Sequence, residues 1–454
     1  MSAGEKIVDV VVVGAGFAGL AMANRLQELG MSMQGFEIGS DVGGTWYWNR
    51  YPGARCDVQS LEYSYRFSED LQQEWDWTER FAAQPEILKY ANHVADRFDL
   101  RKHFKFKTKV TGARFDEAKK AWVVSTDDGA QTIGRFLVSA VGCLSTSNLP
   151  DIPGLSSFKG LVVHTGTWPK EGVAFAGKRV GVIGTGSSGV QVIPMLAKEA
   201  ADVTVFQRTP AYCVPSQNRP LSKEEAWEIK KDYKGFRDQC GRNFGASALG
   251  PGMQSALAVD DAERRRVFDA AWERGGLGFQ GAFYDITMDM RANDYVMQYF
   301  QDKIREIVKD PVTAEKLTPK YRLGTKRLCI DNGYYQTYNR PNVHLVDLKQ
   351  EPIERVTETG LRTGGKDHPL DILVLATGYD AITGSVLRLN IEGRGGKKLK
   401  DIWADGAETF LGLASVGFPN FFIVSGPGSP AVLTNVVYSI EQHVDWIADC
   451  LSYL

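Results

Sequence analysis

Two short apolar runs, each leading into a turn rich in glycine, set the pattern of this chain. Residues 7–13, IVDVVVV, are almost wholly apolar, as in a parallel strand buried on both faces. Helical spacing follows over 17–29 and stops at Gly30, and a second strand is predicted over 33–36, ending at Glu37. The same order returns downstream, with a strand over 179–184, a helix over 188–197 and a strand over 203–206. Pro85 opens a predicted helix that runs to about Phe98, because Pro suits the first helical position and Ile87, Tyr90, Ala91, Val94 and Phe98 recur at helical spacing. Residues 104–141 read as a three-strand meander that turns at Asp127, Asp128 and Gly129 and returns to the first sheet through FLVSAVG. The strand ILVLATGYD, 372–380, echoes that return in the second half. Residues 418–430 predict a buried strand and a Gly-Pro-Gly loop, with a helix from about Thr434 that buries Ile440, Val444, Ile447 and Leu451.

Glycine spacing turns this pattern into chemistry. Gly14, Gly16 and Gly19 follow the first strand, and Gly184, Gly186 and Gly189, with Thr185, Ser187 and Ser188 among them, follow the equivalent one. Such glycines permit a tight turn and close backbone approach, so that a helix N-terminus faces a pyrophosphate. Glu37 then stands where an acid accepts from a ribose hydroxyl. In the second half that position is followed by Arg208 and Thr209, which suit a 2' phosphate that an acid would repel. The first half is therefore expected to hold FAD and the second NADPH. The expected fold is α/β, with two Rossmann-like dinucleotide-binding domains, three-layer sheets and a helical insertion. The FAD domain is expected at 1–145 with a return segment at 379–454. The NADP domain is expected at 146–220 and 324–378, and the insertion at 221–323. Within the insertion Ser222 and Glu225 form a capping box, 261–274 reads helical up to Gly275, and Val296, Phe300, Ile304 and Val308 stripe a helix that stops before Pro311. Glycines 245, 250, 252, 275, 276, 278 and 281 suggest mobile joints there.

Composition narrows the partners. A length of 454 residues exceeds what one core usually serves, and a formal charge of −2 gives no broad footprint for nucleic acid or anionic lipid. The six cysteines form no CxxC pair and read as reduced thiols, and the six histidines have no metal-ligand spacing, so no metal is expected. The first residues carry no basic and apolar leader, and no apolar run reaches membrane-spanning length. These features point to a cytoplasmic protein with a small-molecule partner and leave oligomeric state open.

Two longer motifs point further. Phe158, Gly160, His164, Trp168 and Pro169 fit FxGxxxHxxxWP, and Gly44, Trp46, Tyr51, Pro52, Gly53 and Asp57 fall in GGTWYWNRYPGARCD, 43–57. By composition alone the first is a packed connection between domains and the second an aromatic loop beside a cofactor. Together they resemble the type I Baeyer-Villiger monooxygenases, flavoenzymes that turn ketones into esters or lactones with NADPH and oxygen. That resemblance implies cofactor contacts from Gly44, Thr45, Trp46 and Asp57, and a coupling role for His164 and Trp168. It implies that Lys326 meets the 2' phosphate while Arg327 reaches over the flavin to stabilise a C4a-peroxyflavin and the adduct it forms, with Asp57 holding Arg327 in place. Neighbouring side chains in an extended segment point opposite ways, which accommodates both roles. Ala431, Val432 and Leu433 fall where the family lines its substrate pocket. The chain stops at Leu454, before the tail with which family members cover NADP and substrate, so the resemblance also implies uncoupled turnover. The competing expectations are an N- or S-oxygenating flavin monooxygenase, an NADPH oxidase and an inactive nucleotide-binding fragment.

Overall fold

The computed structural model describes residues 7–430 and 433–454. One strand plan is used twice. In the first sheet Ile7–Val13 is central, pairing in parallel with Met33–Phe36 on one side and Gln131–Ser139 on the other. Phe104–Lys105 extends the sheet beyond Met33–Phe36, and Phe421–Ile423 joins the far end of Gln131–Ser139 in parallel. In the second sheet Arg179–Ile183 is central, between Asp202–Gln207 and Ile372–Leu375. Val343–Asp347 lies outside the former and Leu161–His164 outside the latter, again all parallel. The two sheets therefore share one order, and the strand at 161–164 takes in the second the place that Phe421–Ile423 takes in the first.

The apolar runs follow from what covers each face. Successive strand residues point to opposite sides. Val10 and Val12 pack with Leu20 and Ala21 of helix Phe17–Glu28 and with Ile440 and Val444 of helix Val436–Tyr453. Val11 and Val13 pack with Trp122, Val124, Phe421 and Ile423. Both faces of the strand are buried from Val10 on, and its one polar residue, Asp9, lies before that stretch and accepts from Ser32. Likewise Val180 and Val182 meet helix Ser187–Glu199, whereas Ile183 and Phe206 meet Val356 and Leu361 of a small antiparallel sheet. That sheet, Ile353–Thr357, Gly360–Thr363 and Lys366–Pro369, is the counterpart of the meander Val110–Asp116, Ala121–Thr126 and Gln131–Ser139 in the first half.

The α/β class, the two Rossmann-like sheets and the helical character of the intervening stretch are as expected. Helix Asp261–Arg274 ends against Gly275, helix Lys223–Lys230 carries the capping box, and Pro85 lies in the first turn of helix Gln84–Arg97. Three local expectations are corrected. Residues 104–141 hold four strands, because Phe104–Lys105 pairs with Met33–Phe36 before the meander starts at Val110. The loop 43–57 contains one helical turn, Thr45–Trp48. Pro311 does not only stop the helix Met290–Ile307 but opens another, Pro311–Leu317, capped by Asp310. Two glycines of the insertion are required by close packing: a Cβ on Gly252 would lie 2.5 Å from the Ala282 carbonyl oxygen, and one on Gly281 2.8 Å from that of Gly250.

Candidate functional site

Each central strand ends in a turn built to bring backbone close to a ligand. Gly14 has φ +106°, and a Cβ on Gly19 would lie 1.9 Å from the Gly14 carbonyl oxygen, so helix and strand pack at a distance only glycine allows. The second turn repeats this, with a Cβ on Gly189 falling 2.3 Å from Gly184 O. The helices that follow have Gly16 and Gly186 as N-caps and no side-chain cap, which leaves first-turn N–H groups for an anion. The two turns differ in cover. Around Gly186 there is open space, whereas a Cβ on Gly16 would lie 3.3 Å from the Gly44 Cα, and Gly43 N donates to Ala15 O.

Glu37 is buried at the end of Met33–Phe36. Its carboxylate accepts from Ala15 N at 2.8 Å and Gly39 N at 2.7 Å, which fixes it beside the glycine turn. Burial raises its pKa above the ordinary carboxylate value, against the pull of those two backbone donors. In the second fold Thr185 Oγ1 donates to Thr209 O at 3.0 Å, tying the turn to the segment with Arg208, which is exposed. Strands Cys213–Pro215, which follows Arg208 and Thr209, and Cys329–Asp331, which follows Lys326 and Arg327, run in parallel register. Lys326 lies in a bend rather than in extended chain, with Nζ 5.1 Å from the centre of the Tyr321 ring.

Arg327 turns instead to Asp57. Its Nε and Nη2 donate to Asp57 Oδ2 at 2.9 and 2.7 Å, joining segments 270 residues apart. The carboxylate beside it holds Arg327 above its ordinary pKa, against the effect of burial. Arg327 remains accessible, with 41% of its side chain exposed. The guanidinium is thus oriented by Asp57, with part of its side chain still exposed.

The loop carrying Asp57 is clamped to the second fold. Tyr51 OH donates to Gln191 Oε1 at 2.8 Å, Gln191 Nε2 donates to Arg55 O at 3.0 Å, and at Gly53, φ +84°, a Cβ would lie 2.6 Å from Gln191 O. Gln191 was not singled out from sequence, although a polar residue inside the apolar run GVQVIPML is a readable signal. The 158–169 motif makes the other clamp. Gly160 leaves no room for a Cβ, which would lie 2.4 Å from Asp371 O. Buried His164 accepts at Nδ1 from Gly166 N, and its Nε2 lies 3.3 Å from Thr377 Oγ1; burial lowers its pKa. Trp168 is buried against Phe175, and its carbonyl lies 3.5 Å from Arg50 Nη1. Just beyond Pro169, Lys170 donates to Ser40 Oγ at 3.0 Å, and Tyr379 OH donates to Asn49. Phe158 packs at the edge of the core under the small antiparallel sheet. Leu433 is exposed, whereas Ala431 and Val432 lie outside the described residues. Among the described residues no helix is long and apolar enough to cross a membrane, and no group of His, Cys, Asp and Glu is placed to hold a metal.

Two dinucleotide folds sharing one strand order, with an oriented arginine between them, define a two-nucleotide flavoprotein. Residues 7–219 match the family described as flavin-binding monooxygenase-like. A Baeyer-Villiger monooxygenase of Pseudooceanicola batsensis is 45% identical over 98% of this chain and 81% of its own length. Phenazine N-monooxygenase PhzNO1 of Lysobacter antibioticus is 44% identical over 98% and 82%. A solved structure of an oxidized steroid monooxygenase bound to NADP is 52% identical, with a TM-score of 0.96 over 99% of this chain and 86% of the other. The chain belongs to the flavin-binding monooxygenase-like family and, within it, to the type I Baeyer-Villiger monooxygenases. Its cofactors are FAD and NADPH.

Proposed function

We propose that this protein uses NADPH and dioxygen to convert a ketone into an ester or lactone, with Arg327 as the catalytic cation and Asp57 as the residue that orients it. FAD, when bound, supplies the oxygen-transfer chemistry, and NADPH supplies the electrons. The chain supplies placement and charge. The turn 14–19, with Glu37 and the cover of residues 44–46, suits FAD. The turn 184–189, with Arg208, Thr209 and Lys326, suits NADPH. In the domain assignment that goes with this, 1–145 and 379–454 hold FAD, 146–220 and 324–378 hold NADPH, and 221–323 is the helical insertion. Leu433, which is exposed, is the candidate for the substrate side.

Arg327 acts on the negative charge that develops on the substrate oxygen as the carbonyl becomes tetrahedral. A donor fixed in advance stabilises that charge without reorganising at the moment of reaction. Asp57 Oδ2 holds the guanidinium at Nε and Nη2. The observation that carries this reading is that two-point ion pair, made by the aromatic loop of one fold and the segment that closes the other.

The test is a product assay with FAD-loaded protein and NADPH, offering a cyclic ketone, a steroid ketone and an aromatic N-heterocycle in parallel. Ester or lactone from a ketone is expected. Conversion of the heterocycle alone to an N-oxide, the chemistry in the name of the Lysobacter relative, would replace the ketone reading.

A further inference from the structure

A cavity of about 740 Å³ lies where residues 59–62 and Arg80 of the first fold meet the insertion. Neither Asp57 nor Arg327 lines it. Its size falls within the roughly 300 to 1,000 Å³ of small-molecule sites. The polar wall is built round Arg80. Its backbone N–H donates to Arg219 O at 2.9 Å and its Nη1 to Arg274 O at 2.9 Å, so three arginines of the lining meet at one place. Arg219 already has its counter-charge, since Glu225 Oε1 and Oε2 accept from it at 2.6 and 2.7 Å. Among the described residues Arg80 and Arg274 have no ion pair. Burial lowers the pKa of Arg80, and the charges of Arg219 and Arg274 lower it further, against the pull of Glu62 and Glu225.

Two carboxylates remain on this wall. Glu62 is buried, accepts from Ala248 N at 3.2 Å, and has its pKa raised by burial. Glu273 is exposed. Two guanidinium groups without an ion pair thus share the wall with one exposed carboxylate, and a single added negative charge balances them. The rest of the lining is apolar. Leu221, Ile229 and Phe236 pack on the core of the first fold while part of their surface borders this space, beside Leu61 and Leu249. We propose that the cavity binds a small amphiphilic monocarboxylate, its carboxylate on Arg80 and Arg274 and its apolar chain on Leu221, Ile229 and Phe236. Guanidinium groups suit that head group, because their planar donors match a carboxylate's two oxygens. Binding here is independent of which substrate the enzyme oxygenates.

The test is calorimetric titration of full-length FAD-loaded protein with octanoate and, separately, with 1-octanol. Octanoate is expected to bind at least about 10-fold more tightly than the alcohol, the effect of a charged hydrogen bond. Arg80→Gln and Arg274→Gln should each weaken octanoate by about 10-fold or more, with flavin absorbance unchanged. Arg274 is exposed at a helix end, so its variant tests the site even if Arg80→Gln folds poorly. Ile229→Trp, which fills the apolar part, should weaken octanoate and octanol alike. Arg327→Ala should bind octanoate as the wild type does. Octanoate no tighter than octanol, or unchanged by Arg274→Gln, overturns the proposal. Loss of octanoate binding in Arg327→Ala also overturns it, because the carboxylate would then occupy the oxygenation site.

Discussion

Arg327 is held by the Asp57 carboxylate with 41% of its side chain exposed, and that placement sets its expected behaviour. Arg327→Ala should retain FAD, read from the flavin absorbance, and lower ester formation on the order of 100-fold to 1000-fold, the usual cost of removing a fixed oxyanion donor. Asp57→Ala should act in the same direction, because the guanidinium loses the acceptor at Nε and Nη2. Normal ester formation by the Arg327 variant would remove this arginine from the mechanism. Arg208 makes a separate prediction. If it meets the 2' phosphate, Arg208→Ala should cut the preference for NADPH over NADH by about one to two powers of ten, since a charged hydrogen bond contributes roughly 1.5 to 3 kcal/mol. An unchanged ratio of the two dissociation constants would move the phosphate site elsewhere. The pairing of Asp57 with Arg327 was reachable from motifs, because both stand in recognisable segments. The placement of Lys326 was less so: an expected extended segment is a bend, and the strand begins only at Cys329.

At the level of elements, the C-terminal helix Val436–Tyr453 gives a pH prediction. His443 is buried, and its Nδ1 accepts from Ser425 N at 3.0 Å. That bond requires a neutral ring, and burial pushes the imidazole down to about 4 from an ordinary 6.5. The folded state therefore binds fewer protons than the unfolded chain between these values. The contribution is complete above pH 6.5 and falls away as pH drops towards 4, by up to about 3 kcal/mol. His443→Gln keeps an acceptor without titrating, so its urea midpoint should fall less than the wild type's between about pH 7 and about pH 4. Parallel loss in both proteins would assign acid sensitivity to other groups. Elements with local signals were legible: Gly30 and Gly275 end helices, and Ser222 with Glu225 starts one. The antiparallel sheet at 353–369 was not, because its strands are short and largely polar and gain their pattern only by covering Ile183 and Phe206.

At the scale of the whole molecule, the doubled strand order was readable because both faces of each sheet are buried, which forces the uninterrupted valine runs. How the halves meet was not. The contacts Tyr51 to Gln191, Trp168 to Arg50 and Tyr379 to Asn49 join segments whose proximity depends on long-range pairing, and no local pattern ranks them. The motif at 158–169 was legible as a connection but not as an edge strand, because that role requires Ile372–Leu375 as its neighbour. These contacts bring Asp57 to Arg327, so the central claim is that two nucleotide folds converge on one oxygen-transfer site. The most direct measurement supplies FAD-loaded protein with NADPH, a cyclic ketone and isotopically labelled dioxygen, and reads the product by mass. The expected result is a lactone carrying one labelled oxygen, lost in Arg327→Ala. Unchanged ketone with NADPH consumed, or a lactone without label, would contradict it.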